Sequence, residues 1–499
     1  MTTIRDINKF AIIKVIGFLL VIEGMFMLLC LVPSVYYDPE FLNHLALFNP
    51  KHDFLPLLIM GAVTLIFGSS CFLFTRKLDQ NSIGKREGYI IVTLSWVMIA
   101  FFGAFPYILS GVAPNYSHAF FETMSGFTTT GATVFTDIES VPKGILFWRA
   151  LTHWMGGMGI IVLSLAILPV LGIGGMQLFD AEAAGVTADK LHPRITQTAK
   201  NLWAIYVTLT LLCTIFLMFG GLSLYDSLCH AFATLATGGF STKNTSVSEF
   251  SPYLQYVFIL FMFLAGINFS LIFFTIKGKF RSILKNDELK NYIYIILSAT
   301  LVVGTTLYFL KGTSVEKSIR DSLFQVVSII STTGFVSTDY LKWPGYAWVI
   351  IFLLMFIGAC TGSTGGGIKV VRIILLFRNS RMELRRLIHP FALIPVRLNG
   401  KSVSQGIIFN VLAFFLLYIL VFTFGSLTMT LIGLDFESSI GGVASCLGNI
   451  GPGLGATGPI LNYGFVPDVG KWVLSGLMLL GRLELFTVLL LFSSTFWNK

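Results

Sequence analysis

The sequence predicts an all-α polytopic membrane protein of ten transmembrane helices and four shorter re-entrant helices, set out as four pseudo-fourfold helix, loop and helix repeats. Three observations lead there. Of the 499 residues, 55% are hydrophobic and 12% charged, with a mean hydropathy of +0.80, so the charged surface that would keep such a core in water is missing. Ten apolar runs are long enough to cross a hydrocarbon core of ~30 Å. Four shorter apolar stretches, near 118–128, 225–237, 319–331 and 437–449, are too short to cross, and each ends in a glycine-bearing polar turn.

The ten runs lie near 10–35, 54–75, 89–112, 146–172, 202–224, 253–276, 291–310, 346–377, 405–433 and 470–497. The first follows "MTTIRDINKF" and precedes "LVPSVYYDPE", without a small-residue cleavage pattern, and so reads as a retained span rather than a removed signal peptide. Cys30, Cys71, Cys213, Cys229, Cys360 and Cys446 sit in or beside these runs with no paired spacing, which indicates neither a disulfide framework nor a metal knuckle. The net charge of +9 does not mark a nucleic-acid surface, because the basic residues cluster in the segments 76–86, 190–200, 277–290 and 369–401. These segments fall on one side of the membrane, and the positive-inside rule then places both termini in the cytoplasm.

The four short segments form a repeat. "DSLCHAFATLATGGF" (226–240) and "DSLFQVVSIISTTGF" (321–335) align without a gap, which equates Gly239 with Gly334. Extending the register adds Gly131 from "TTTGAT" and Gly451 from "GNIGPG", with Gly238 left as the alternative to its neighbour Gly239. The chain then divides into two extra spans (1–86) and four repeats at 87–200, 201–290, 291–402 and 403–499. Each repeat holds two crossings, so all four share one orientation, which suits an axis along the membrane normal and a central pore.

Backbone that is not helical at membrane depth must be buried in protein or line a water-filled path, since lipid satisfies none of its polar groups. Glycine opens backbone angles closed to other residues, and carbonyl oxygens turned inward replace the hydration shell of a cation. The candidate filter is therefore Thr129, Thr130 and Gly131; Thr237, Gly238 and Gly239; Thr332, Thr333 and Gly334; and Asn449, Ile450 and Gly451. Each short helix points its partially negative C-terminal end at the centre. Asp226, Asp321 and Glu437 stand near the starts of three short helices, with His118 in the first repeat, where they would stabilise helix N-termini or gather cations. This backbone argument reaches a dehydrated monovalent cation and stops there.

The whole chain resembles the Trk/Ktr/HKT superfamily of potassium transporters, in its two extra N-terminal spans and in "TTTGAT", "TGGFST" and "GNIGPGLG" together. The resemblance implies a transported potassium ion with no organic cofactor, a homodimer, and a bacterial cytoplasmic (inner) membrane. It also implies regulation by a cytosolic ring of nucleotide-binding TrkA-type subunits, and an intramembrane loop that gates the pore.

The second long helices of the repeats also correspond, at "WMGGMGI", "FLAGINF", "FIGACTG" and "LLGRLEL". Small residues recur at mid-span, except that the fourth carries Arg482. An arginine near the bilayer centre costs ~2.5–3.5 kcal/mol on insertion scales, so it is expected to face the pore and a partner. Glu484, two residues on, points to a different helix face. The third helix is interrupted by "TGSTGGG", Thr361, Gly362, Ser363, Thr364, Gly365, Gly366 and Gly367. Each glycine there costs a helix roughly 1 kcal/mol relative to alanine, so the stretch is expected to be unwound and to face the aqueous path; the resemblance implies that it is the gate, and Arg482 is then expected to hold it closed. The segment lacks the Gly-Lys-Ser/Thr ending of a phosphate loop.

The arginine-rich stretch 378–401 reads as a positive-inside anchor that could also dock an acidic partner or anionic membrane lipid. Segment 173–200 reads as cytosolic, with no function legible. The competing reading is a secondary transporter coupling Na⁺ or H⁺ to a small solute. Such carriers show inverted repeats and paired broken helices, against four same-sense repeats and one clearly broken helix here. No nucleophile motif and no ligand-spaced histidine pair supports an enzyme.

Overall fold

A computed structural model describes residues 7–38, 48–49, 51–75, 84–159, 195–278, 285–389 and 394–497. Helix α1 (Lys9–Leu29) continues through Cys30 into α2 (Leu31–Tyr37), whose Pro33 sits in its first turn, where the missing N–H costs nothing. Helix α3 (Phe54–Thr75) lies against α1 along a seam of glycines. A Cβ on Gly17 would come within 2.8 Å of the Gly68 carbonyl oxygen, and one on Gly24 within 2.9 Å of that of Gly61. Backbones approach this closely in lipid because dispersion contacts, rather than expulsion of water, hold the helices together.

Four long-and-short pairs follow. They are α4 (Lys85–Leu109) with α5 (Tyr116–Phe127), α7 (Ile195–Phe219) with α8 (Leu224–Leu235), α11 (Asp287–Lys311) with α12 (Val315–Ile330), and α15 (Gln405–Ile432) with α16 (Phe436–Gly448). Helix α6 (Lys143–Trp154) follows the first pair and ends in a π-helical turn, Met155–Gly159. The rest of the expected span 146–172, and the segment 173–200 up to residue 194, lie outside the described residues.

After the other pairs come helices in two pieces: α9 (Pro252–Ala265) with α10 (Phe269–Ile276), α13 (Gly345–Leu354) with α14 (Val370–Ile388), and α17 (Asp468–Arg482) with α18 (Phe486–Leu489). Among the described residues six helices are long and apolar enough to cross a membrane, or eight when the bent pairs at 252–276 and 468–492 each count as one span.

These breaks correct the sequence expectation of a single interrupted helix. The first bends by 99° and the last by 112°, and each has a local cause. At the first, the Asn268 side chain caps the new helix by accepting from Ser270 N at 2.8 Å. The freed backbone groups are taken up by the neighbouring loop, with Cys360 N donating to Gly266 O at 3.0 Å and Phe269 N to Gly362 O at 3.1 Å. At the last, Glu484 and Leu485 turn left-handed, with φ 53° and 58°. The middle break is wider than the expected 361–367 and runs from Met355 to Lys369.

Candidate ion pathway

All four short helices start on a side-chain cap. Asn115, Ser223, Ser314 and Asp435 accept from the backbone N–H three residues on, at His118, Asp226, Lys317 and Ser438, the pattern that satisfies an orphan donor of a first turn. The third helix starts one turn earlier in the repeat register than the others. Asp321 is therefore buried inside α12 rather than at its start. Asp226 is held by Thr242 Oγ1 at 2.7 Å and Ser223 Oγ at 2.8 Å, which makes it a brace for its own repeat.

The four helices also end alike. Thr129, Thr237, Thr332 and Asn449 donate to the carbonyl three residues back, and Thr130, Gly238, Thr333 and Ile450 donate to the one five back, at 2.8–2.9 Å. This is a left-handed helix stop, with φ of 53°, 55°, 59° and 53° at the first residue of each turn. Asparagine tolerates that region, whereas a β-branched threonine there is an outlier. Two residues later Gly131, Gly239, Gly334 and Gly451 are left-handed again, at 81°, 78°, 79° and 107°. Gly238 is not left-handed, so the glycine that matches the other three turns is Gly239.

The turns touch in a closed cycle. A Cβ on Gly131 would collide with the carbonyl oxygen of Gly238, one on Gly239 with that of Thr333, and one on Gly334 with that of Ile450. One on Gly451 would meet the Thr130 oxygen at 2.8 Å. A cavity of about 80 Å³ lies where the chain leaves the turns, and all four glycines line it. At its rim Asn244 Nδ2 donates to Asp137 at 2.9 Å and holds that carboxyl below its usual range.

The loop 355–369 sits on the other side of the turns, against the ends of the short helices that enter them. Gly366 N donates to Thr332 Oγ1 at 2.7 Å, and Thr364 Oγ1 donates to Leu235 O at 3.0 Å. A Cβ on Gly366 would meet the Gly448 oxygen at 2.6 Å, so the glycine run is required by close approach as well as by unwinding. Lys369 Nζ donates to Gly365 O within the loop. Arg482 is the hub. Its guanidinium donates to Thr364 O at 2.7 Å, Gly156 O at 2.5 Å, Gly157 O at 2.8 Å and Thr129 Oγ1 at 3.1 Å. The sequence expectation that carbonyls and hydroxyls of the 361–367 loop serve this arginine is met at Thr364 O; the other three of these acceptors are Gly156 O and Gly157 O after α6 and Thr129 Oγ1 in the first turn, while Glu484 pairs with Arg372.

Two participants were missed in the sequence. Glu122 on α5 and Arg149 on α6 form an ion pair at 2.6 Å with side chains 0% and 2% exposed. Glu122 also accepts from Thr133 Oγ1 and Val134 N, at 2.9 and 2.8 Å, and Arg149 donates to Ser241 O at 3.0 Å. The pair thus ties the exit of the first turn to that of the second. His230 and Gln325 occupy the same register in the next two repeats and do similar work, with His230 Nε2 3.0 Å from Ser241 Oγ and Gln325 Nε2 donating to Thr338 O at 3.2 Å. Removing one partner of a buried pair typically costs about 3–5 kcal/mol. Arg149→Ala should therefore lower Tm markedly in detergent, and an unchanged Tm would mean that the pair does not brace the turns.

Polar backbone turns gathered inside lipid-length helices, with a cavity on one rim and an arginine-held loop on the other, define an integral-membrane cation transport protein. The chain belongs to the TrkH family, described as a cation transport protein, which it matches over residues 57–499. It is 41% identical over 443 residues to the Trk system potassium uptake protein TrkH of Escherichia coli (strain K12), covering 88% of this chain and 91% of that one. It is 39% identical over 500 residues to the protein of the same name from Vibrio parahaemolyticus, covering 98% and 99% of the two chains. The crystal structure of the potassium transporter TrkH from Vibrio parahaemolyticus superposes with a TM-score of 0.86 at 36% identity, over 99% of this chain and 100% of that one.

Proposed function

We propose that the protein carries potassium into a bacterial cell across the cytoplasmic membrane, through a filter made of the four turns at Thr129–Gly131, Thr237–Gly239, Thr332–Gly334 and Asn449–Gly451. The observation that carries this reading is the closed cycle of left-handed glycines around one cavity. Four short helices ending at these turns bring four partially negative C-terminal ends together, which favours a cation. The carbonyl oxygens of Thr130, Gly238, Thr333 and Ile450 lie at the seams between turns, where they would stand in for lost water. Potassium is the ion named for the relatives, and its passage needs no organic cofactor.

The loop 361–367, held by Arg482, is the gate. Homodimerisation, cytoplasmic termini, ten spans in pseudo-fourfold repeats and control by a cytosolic TrkA-type nucleotide-binding subunit complete the reading, supported by membership of the family. Breaks in three helices remove one distinction from a solute-coupled carrier. The cyclic contact of four same-sense turns still favours the pore, because carriers bind at one site between inverted halves.

Purified protein in liposomes, assayed for K⁺, Na⁺ and solute flux with and without an imposed ion gradient, tests this. Deleting residues 363–366 should raise basal K⁺ flux and leave the K⁺/Na⁺ preference intact. A folded deletion with parental flux would reduce the loop to a kink.

A further inference from the structure

The gate loop is clasped from outside by one carboxylate that the transport reading does not use. Glu288, the second residue of α11 and 6% exposed, accepts three hydrogen bonds on its Oε1. Thr361 N donates at 2.7 Å, Thr361 Oγ1 at 3.0 Å and Val371 N at 3.2 Å. These donors lie on either side of the glycine run: Thr361 opens it, and Val371 is the second residue of α14. That one oxygen thus ties both ends of the glycine segment to α11, beside the backbone bonds that join the ends to each other, Gly358 N to Ile368 O at 2.8 Å and Val370 N to Ala359 O at 3.3 Å.

The residue before Glu288 is tied to a different structure. Asp287 Oδ2 accepts from Asn399 N at 2.9 Å and from Arg378 Nη1 at 2.8 Å, and Asp287 N donates to Asn399 Oδ1 at 2.7 Å. Asn399 and Gly400 form the tip of a two-stranded hairpin, Arg397–Leu398 paired with Lys401–Ser402. Their φ of 52° and 78° are those of a tight Asn-Gly hairpin turn. The hairpin is set by its own hydrogen bonds and meets the helix through these contacts. The hairpin and the gate loop thus hold adjacent residues of one helix start, through the Asp287 and Asn399 side chains on one side and the Glu288 carboxylate on the other, so that a displacement of one is passed to the other across one peptide unit.

We propose that Glu288 is the clasp that keeps the gate loop shut and that the hairpin 397–402 is the handle that moves it, through Asp287. This rests on the reading of 361–367 as a gate. Glu288 is a positioning residue, because its oxygen holds the loop and does not touch the ion. A cytosolic subunit that shifts the hairpin would free both ends of the loop from α11 together, which a contact to only one end could not do.

K⁺ flux and K⁺/Na⁺ preference in liposomes, measured on the full-length chain, test the proposal. Losing hydrogen bonds to a charged acceptor should raise basal K⁺ flux by roughly tenfold in Glu288→Ala. Glu288→Gln, which keeps a carbonyl oxygen at the same place, should behave like the parent. Asn399→Ala should raise flux in the parent and add nothing to Glu288→Ala. Selectivity should be unchanged throughout, which a partly collapsed protein would not preserve. In the 363–366 deletion, Glu288→Ala should have no further effect. Parental flux in Glu288→Ala beside a raised flux in the deletion would overturn the clasp and leave the gate standing. A glutamine variant as leaky as alanine would also overturn the clasp, and independent effects of Asn399→Ala and Glu288→Ala would overturn the handle. No effect of the deletion itself would overturn the gate, and the clasp with it.

Discussion

Gly334→Ser is expected to abolish the preference for K⁺ over Na⁺. A serine there carries two penalties at once. The left-handed φ of 79° costs a residue with a Cβ about 1–2 kcal/mol, and the Cβ itself would be driven into the Ile450 carbonyl oxygen of the next turn. Relief requires that carbonyl to swing away, and it is one of the four proposed to replace the ion's water. Since 1.4 kcal/mol is tenfold in an equilibrium, a displacement worth even that much should erase about a decade of discrimination. Gly312 provides the control. It is left-handed at 64° but has nothing within 4 Å of the added Cβ, so Gly312→Ser should cost stability and leave the permeability ratio alone. Equal selectivity in the two variants would remove Gly334 from the filter.

Arg482→Ala is expected to raise basal K⁺ flux by at least about tenfold, because hydrogen bonds from a charged donor are worth roughly 1.5–3 kcal/mol each and this side chain makes at least the four described above. Two of them hold the π-turn after α6, one the loop at Thr364, and one the hydroxyl of Thr129 in the first turn. In the proposed pathway its charge would also oppose a cation beneath the filter. Lysine would restore the charge without the flat fork of donors, so Arg482→Lys should fall between parent and alanine. Combined with the 363–366 deletion, Arg482→Ala should add less than its separate effect, because both act through one loop. Fully additive effects, or a folded alanine variant that conducts like the parent, would place Arg482 outside the gate.

What the sequence made legible followed from how strongly each feature is dictated locally. An ungapped register carried Gly131, Gly334 and Gly451 to turns of matching backbone, since glycine is the residue that a second left-handed position demands. It also favoured Gly239 over Gly238, as the angles do. The left-handed threonines at 129, 237 and 332 were not legible, because a β-branched residue argues against that conformation and only the surrounding packing enforces it. The extra turn at the start of α12 was hidden because the alignment began at Asp321, whereas the cap is Ser314.

The glycine run announced the break in the third inner helix. The breaks at Asn268 and Glu484 had weaker signals, a capping residue inside an apolar run and an acid two residues from an arginine. The rule that singled out Arg482, that intramembrane charge is costly and functional, applies equally to Glu122 and Arg149, and it would have found the brace behind the first turn. Asn399-Gly400 was likewise readable as a hairpin turn within a stretch taken only for its positive charge.

A dehydrated cation is expected inside the cycle of four turns. Anomalous diffraction from crystals grown with Rb⁺ in place of K⁺ tests it most directly. Anomalous density should be enclosed by the carbonyl oxygens of Thr130, Gly238, Thr333 and Ile450, and should be lost in Gly334→Ser. Rubidium density only outside the ring, or density within it that survives that substitution unchanged, would rule out the four turns as the cation site.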